Sequence, residues 1–302
     1  MRFGGHETFA IREGWLHKGL KLAIDAPDKL NGADAADWLG VGKNMGKSIK
    51  HWLLATGLAA PSGGSQRETQ LEVTKLGKLI YQRDRYFLHP GTWWALHVEL
   101  ANCEEHAVTW WWFFNRFSLT RFDRATCLTN LRAFLDAGGQ RVPAQKTLQR
   151  DISCLIATYA TALPKEVSDP EEADDCPLKE LSLLTYSRAT GACSSATGMK
   201  SIPAELLGYA LAKSLFMGGG QKRQVDVTLR EAAFKDGGPG KVFVMNSDAL
   251  FELGLQAEEA LGAPDFAVSG LGSERTFRVM QRSTREWLAM YYDRVREKKH
   301  AA

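Results

Sequence analysis

The sequence predicts a mostly α-helical protein with small β-hairpins. Three observations carry that prediction. Apolar residues recur at helical spacing through most segments. Alternating, strand-like runs are short and lie beside Gly-rich breaks. An order of helix, turn, helix, short alternating stretch and helix occupies residues 33–81, and a similar order returns near the C-terminal end. The expected organisation is an N-terminal winged helix-turn-helix domain over residues 1–90 and an aromatic-rich helical middle over 91–165. An acidic linker over 166–180 and a second, winged-helix-like α+β domain over 181–302 complete it.

The opening stretch, RFGGHETFAIREGWLHKGLKL, places Phe9, Ile11, Trp15, Leu16, Leu20 and Leu22 along a strand-to-helix transition. Arg2, Arg12, Lys18 and Lys21 add basic charge there, and Arg12 and Lys18 are candidates to meet DNA. His6 and Glu7 form a polar cluster beside two glycines. Such a pair suits acid–base chemistry or metal binding, but one dipeptide supplies too few ligands for a metal, and capping or packing is the more ordinary reading.

Residues 33–39 read as a short helix with Asp34 and Asp37 near its start, and Gly40 and Gly42 permit a tight turn. The next helix, over 44–56, carries Met45, Ile49, Trp52 and Leu53 at i, i+4, i+7 and i+8, the buried stripe of an amphipathic helix. Lys43, Lys47 and Lys50 then fall on the other side, with Asn44, Ser48 and His51 near them. No acid interrupts residues 38–67. A solvated lysine face is the ordinary reading. Two features favour DNA: the lysines cluster towards the helix N-terminus, where phosphates are attracted, and a wing follows. Arg67 sits at the expected wing tip, within reach of a phosphate or the minor groove. Thr74 is expected to cap a helix running through Tyr81.

Trp93, Trp94, Trp110, Trp111, Trp112, Phe113, Phe114 and Phe117 make the middle segment aromatic-rich. Aromatics can stack on unpaired bases, but a continuous run points mostly inward. A helix beginning near Pro143 buries Leu148, Ile152, Leu155, Ile156 and Tyr159, with Cys154 beside that stripe. Residues 164–177 hold six carboxylates and three prolines and read as an exposed linker rather than a metal site. Beyond it, residues 181–186 suggest a strand and Ser201 the N-cap of a helix through Phe216. A short helix over 228–234, a longer one over 247–260, a hairpin over 266–279 and a final helix from Ser283 follow. The 247–260 helix is acidic and makes a poor DNA reader. Arg275, Arg278, Arg282 and Arg285 near the hairpin are candidates for phosphate contact.

Composition narrows the class. Of 302 residues, 44% are hydrophobic and 24% charged, the balance of a globular chain, so wholesale disorder is excluded. The net charge of +3 is too small to argue nucleic-acid binding without a local concentration of cations. The N-terminus shows no signal-peptide core and no run approaches the length of a membrane span, so a cytoplasmic protein with no membrane partner is expected. Five scattered cysteines without a CxxC pair predict free thiols rather than structural zinc. There is no Walker A loop, no HExxH or HxxxH and no GxSxG. Scattered carboxylates can still build a metal nuclease.

The stretches FGGHETFAIREGW, GVGKNMGKSIKHWL, LEVTKLGKLIYQRDRYFLHPGTWWALH and LQRDISCLIATY together resemble a domain-of-unknown-function family that includes the SspB proteins of Ssp-type DNA phosphorothioation systems. The resemblance implies a double-stranded-DNA-binding member of a system that replaces one backbone oxygen of DNA by sulfur. It also implies a cysteine desulfurase, a sulfurtransferase and an ATPase as partners. Nicking activity in that family makes a metal-dependent nickase a second expectation, with His6 and Glu7 as candidate catalytic residues and Mg²⁺ or Mn²⁺ as the cofactor. No other cofactor is expected. A winged-helix transcriptional regulator without catalysis is the remaining alternative. A sulfur relay through Cys154 would need an exposed, acidic thiol, against which its apolar neighbours argue.

Overall fold

The computed structural model describes residues 1–62, 70–139, 141–163, 176–215, 223–271 and 274–301. Arg67 and the carboxylates of 166–175 lie outside the described residues. The chain is mostly helical with small sheets, and it divides into two compact units. The first comprises residues 1–88 and 99–195, the second 89–98 and 196–302.

The first unit opens with α1 (Trp15–Asp25), α2 (Pro27–Asn31), α3 (Ala35–Leu39) and α4 (Lys43–Ala55). Helix α3 stops because Gly40 adopts a left-handed backbone (φ 66°), letting its N–H and that of Val41 close back on Asp37 and Ala36 carbonyls. A side chain is disfavoured there, so glycine suits the turn. Gly46 then lets α4 pass close to α3: a Cβ at 46 would stand 3.0 Å from the Ala36 Cβ. Strand β1 (Ala59–Pro61) pairs antiparallel with β2 (Leu71–Val73), with Ala60 opposite Glu72. Helix α5 (Lys75–Arg83) follows, capped by the Thr74 hydroxyl, which accepts the Gly77 N–H at 3.0 Å.

Helix α6 (Pro90–Ala101) belongs through Val98 to the second unit. The first unit resumes with α7 (Val108–Asn115), β3 (Arg121–Phe122), α8 (Arg124–Ala137), α9 (Gln145–Tyr159) and β4 (Ala160–Leu163). A 3₁₀ turn (Pro177–Leu181) precedes β5 (Leu184–Ser187) and β6 (Cys193–Ser195). These strands form a four-stranded sheet in the order β3-β6-β5-β4, antiparallel except for the parallel pair β4–β5. The strand expected over 181–186 therefore begins later, after the 3₁₀ turn. The aromatic run is core, as expected. Trp110, Trp112, Phe113 and Phe114 are buried, with Phe113 and Phe114 edge-to-face at 5.2 Å. Cys154 is buried, and burial pushes its thiol well above the usual range, as an inert core thiol requires.

In the second unit, α10 (Ala204–Leu215) begins three residues after Ser201, immediately behind Pro203, so Ser201 is not its cap. Strand β7 (Gln224–Thr228) leads into α11 (Leu229–Phe234), capped by the Thr228 hydroxyl, then α12 (Pro239–Val242) and α13 (Ser247–Leu261). Strands β8 (Phe266–Leu271) and β9 (Glu274–Met280) pair as the expected hairpin, and β7 joins it in the order β7-β9-β8. Helix α14 (Thr284–Ala301) packs on α10, where Gly208 admits the Trp287 ring at a distance that no Cβ would allow.

Candidate nucleic-acid interface

Helix α4 carries most of the predicted site. Lys43, Asn44 and Lys47 are exposed, and Lys50 is half-buried, which lowers its ammonium below the ordinary lysine range by desolvation. The helix has no side-chain N-cap and no acid in its first turn, so its leading N–H groups point outward unneutralised. Lys43 and Lys50 have no ion-pair partner among the described residues. Lys47 has one, Glu7, at 3.5 Å across an exposed gap. Lys18 is exposed on α1, and Arg12 lies over the rings of Phe9 and Trp15 at 5.5 Å from each centroid.

Two predicted contacts face the other way. Ser48 is fully buried and His51 is 3% exposed. The stripe of Met45, Ile49, Trp52 and Leu53 describes one wall of α4 only. From Ser48 to Ala55 every residue but Lys50 is buried, because the N-terminal turn covers the side opposite α1. Gly5 touches the His51 ring so closely that a Cβ would stand 2.5 Å from Nδ1, and Trp52 donates its indole N–H to the Phe9 carbonyl at 3.1 Å.

That N-terminal turn is where His6 and Glu7 lie. His6 is 1% exposed and stands within 5.6 Å of the Trp110 ring centre. Its Nδ1 accepts the Thr8 N–H at 3.0 Å, which places the ring hydrogen on Nε2, and Nε2 donates to Asp151 Oδ1 at 3.0 Å. Both nitrogens are therefore occupied. Asp151, which sequence reasoning left without a role, also accepts the Gly4 N–H (2.9 Å) and, through Oδ2, the Thr109 hydroxyl (2.9 Å). The network fixes a turn whose Glu7 and Thr8 both hold left-handed backbone (φ 48° and 73°). Such conformations cost roughly 1–3 kcal/mol each and persist only where surroundings enforce them. The pair His6–Glu7 thus reads as packing rather than catalysis. It does not fit a divalent cation, since His6 has no free nitrogen and the Glu7 carboxylate faces an ammonium. Among the described residues no group of three His, Cys, Asp or Glu side chains is arranged to hold a metal ion.

His51 is the opposite case. Neither ring nitrogen has a hydrogen-bond partner. Burial, then the neighbouring His6, Arg2 and His106, push its pKa down to about 3, so the ring is neutral. It forms part of the wall of a cleft of about 600 Å³, which Lys47, Lys50 and Arg2 also line.

In the second unit three of the four arginines expected near the hairpin are engaged, and Arg285 has no ion-pair partner among the described residues. Arg278 grips Asp226 through Nε (2.8 Å) and Nη2 (3.2 Å), Arg282 bonds Asp265, and Arg275 reaches Asp248 at 3.5 Å.

The chain belongs to the family described as "Protein of unknown function (DUF4007)", whose model matches residues 3–292. Two solved structures share its fold: a magnesium ion-bound SspB crystal structure (TM-score 0.83) and an SspB crystal structure (TM-score 0.82). Each is 23% identical, over 97% of this chain and 88% of the other. No curated protein matches. No helix of the described residues is long and apolar enough to cross a membrane.

Proposed function

We propose that this chain is the DNA-binding component of a bacterial DNA phosphorothioation system. Residues 33–81 act as a winged helix-turn-helix in which α4 meets the duplex. The observation that carries the reading is the exposed edge of α4, where Lys43, Asn44 and Lys47 stand at an uncapped helix N-terminus with almost no carboxylate to neutralise them. Cations at a free helix N-terminus attract phosphate, and each phosphate neutralised releases counterions from the duplex. The sequence resemblance and the fold shared with SspB support the assignment to phosphorothioation. A cysteine desulfurase, a sulfurtransferase and an ATPase are its proposed partners.

The chain's role in this reading is to position DNA. Strand nicking with Mg²⁺ or Mn²⁺ is assigned no residue in this reading, in which His6 and Glu7 hold the N-terminal turn. The test is salt-titrated binding to duplex DNA by fluorescence anisotropy. Lys43→Ala with Lys47→Ala should flatten the slope of log affinity against log salt by about 2 units, close to one per phosphate contact. An unchanged slope removes α4 as the DNA-facing helix. Binding confined to the chain's own promoter, with no dependence on the sulfur-transfer partners, would turn the reading to a transcriptional regulator.

A further inference from the structure

The same helix lines the cleft with Lys47, Lys50, His51 and Leu54, positions i, i+3, i+4 and i+7, which share one face. This face is flanked by the N-terminal residues, by the loop at 105–106 and by Pro61 and Leu71, which pair across β1 and β2. The space, about 600 Å³, falls in the range of small-ligand pockets, roughly 300–1,000 Å³, and is far too small for a duplex whose major groove alone is about 12 Å wide.

Its chemistry is divided. Arg2, Lys47 and Lys50 supply three cations against one lining carboxylate, Glu105, whose side chain is exposed and lies 3.8 Å from His106; Lys47 also meets Glu7, which does not line the cleft, at 3.5 Å. Leu54, Pro61 and Leu71 give an apolar wall. Beside them lies the buried His51 ring, whose Nδ1 packs against Gly5 and whose two nitrogens have no hydrogen-bond partner in the protein. Buried polar atoms are rarely left so, because each lost hydrogen bond carries its full desolvation cost. His6, next to it, is by contrast bonded at both nitrogens.

We infer that this cleft binds a single nucleotide, its phosphate held by Arg2, Lys47 and Lys50 and its base set against the apolar wall beside the His51 ring. A phosphate alone would leave the apolar wall unused, and an apolar ligand would leave the cations unused. The nucleotide is either free or unpaired from a strand, and the inference rests on the DNA reading only for that source.

The experiment follows the ring nitrogens of His51 by NMR in protein labelled with ¹⁵N-histidine. Deoxyadenosine monophosphate, inorganic phosphate, deoxyadenosine and a short single-stranded oligonucleotide are titrated separately. The mononucleotide or the oligonucleotide should move the His51 signals saturably, the His97 signals staying still. Phosphate and nucleoside should each bind at least about tenfold more weakly, a difference of roughly 1.4 kcal/mol. A response to the mononucleotide identifies a free nucleotide as ligand, and one to the oligonucleotide alone identifies a strand. Lys50→Gln should weaken binding about tenfold, and His51→Phe, which fills the space with an apolar ring, should abolish it. No saturable His51 shift with either nucleotide ligand at about 10 mM, or phosphate binding as tightly as the mononucleotide, overturns the inference. Duplex affinity measured beside it separates the two readings. Nucleotide binding without duplex binding removes the DNA reading and keeps the pocket, and the reverse removes the pocket.

Discussion

In the first unit, Lys43 and Lys50 stand on α4 without an ion-pair partner among the described residues, next to the short hairpin β1–β2. In the second, three of the four arginines of and near β9 meet a carboxylate, all but Arg285: Arg275 with Asp248 on α13, Arg278 with Asp226 on β7, Arg282 with Asp265. Both regions place a helix before a hairpin, and both are rich in cations. A guanidinium already forked onto a carboxylate has little left for a phosphate, whereas an unpaired ammonium at a helix N-terminus keeps its whole field. Counting cations would make the two regions equivalent; counting unpaired cations separates them. Burial repeats the contrast within the first unit, where His6 is fully bonded and its neighbour His51 is bonded to nothing in the protein.

The largest expected effect comes from the carboxylate that holds the N-terminal turn over α4. Asp151→Ala strands His6, Gly4 and Thr109 without their acceptor and should destabilise the protein by roughly 3–5 kcal/mol, read by chemical denaturation. A loss below about 1 kcal/mol would mean that the turn stands without it. Next, Lys43→Ala with Lys47→Ala should lower duplex affinity ten- to a hundredfold at low salt, while Arg275→Ala with Arg278→Ala should change it by less than about threefold. Equal losses from the two pairs would erase the comparison.

Buried neutral histidines set the acid limit in both units. Burial lowers His51 to about 3 and His97 to about 4; in His97 the bond to the Val242 carbonyl works against that fall. Each folded-state pKa lies below the unfolded one, so the unfolded chain binds the extra proton. Stability is therefore full above about pH 6.5 and falls as pH drops towards 4, by about 1.4 kcal/mol per pH unit for each histidine. Denaturation midpoints at a series of pH values should show this slope, and His51→Phe should remove about half of it. A slope that His51→Phe leaves untouched would contradict a neutral, buried ring. The smallest effect is expected from Asp226→Asn, which frees the exposed Arg278 and should raise duplex affinity two- to threefold at most, since surface pairs are weak. A larger gain would show that the second unit is kept off DNA by these pairs alone.

Much of this could be seen in the sequence. The stripe of α4, the Thr74 cap, the aromatic core and the 266–279 hairpin all follow from local spacing, and local spacing is what a sequence displays. What stayed hidden depends on distant partners. Ser48 and His51 look like part of the lysine face until residues 1–10 are known to lie across that side of the helix. Asp151 looks like one more polar residue on α9 until the turn at Gly4 and His6, some 145 positions earlier, is folded against it. Strand β4 follows α9 without a break and is only four residues long, so nothing local distinguishes it from the helix's last turn; its parallel partner β5 lies beyond the acidic stretch. The arginines of β9 could be placed by sequence, but the acids that engage them come from three other segments.

The bond between His6 and Asp151 has a consequence for synthesis. The first residues leave the ribosome long before residue 151 exists. At about 5–20 residues per second, the N-terminal turn waits on the order of ten seconds for its acceptor. During that interval the nascent chain can form α1 to α5 but has nothing to hold Glu7 and Thr8 in their left-handed conformation. The wall of α4 that ends up under the turn stays uncovered until α9 has emerged, and the cleft at His51 takes its final shape only then.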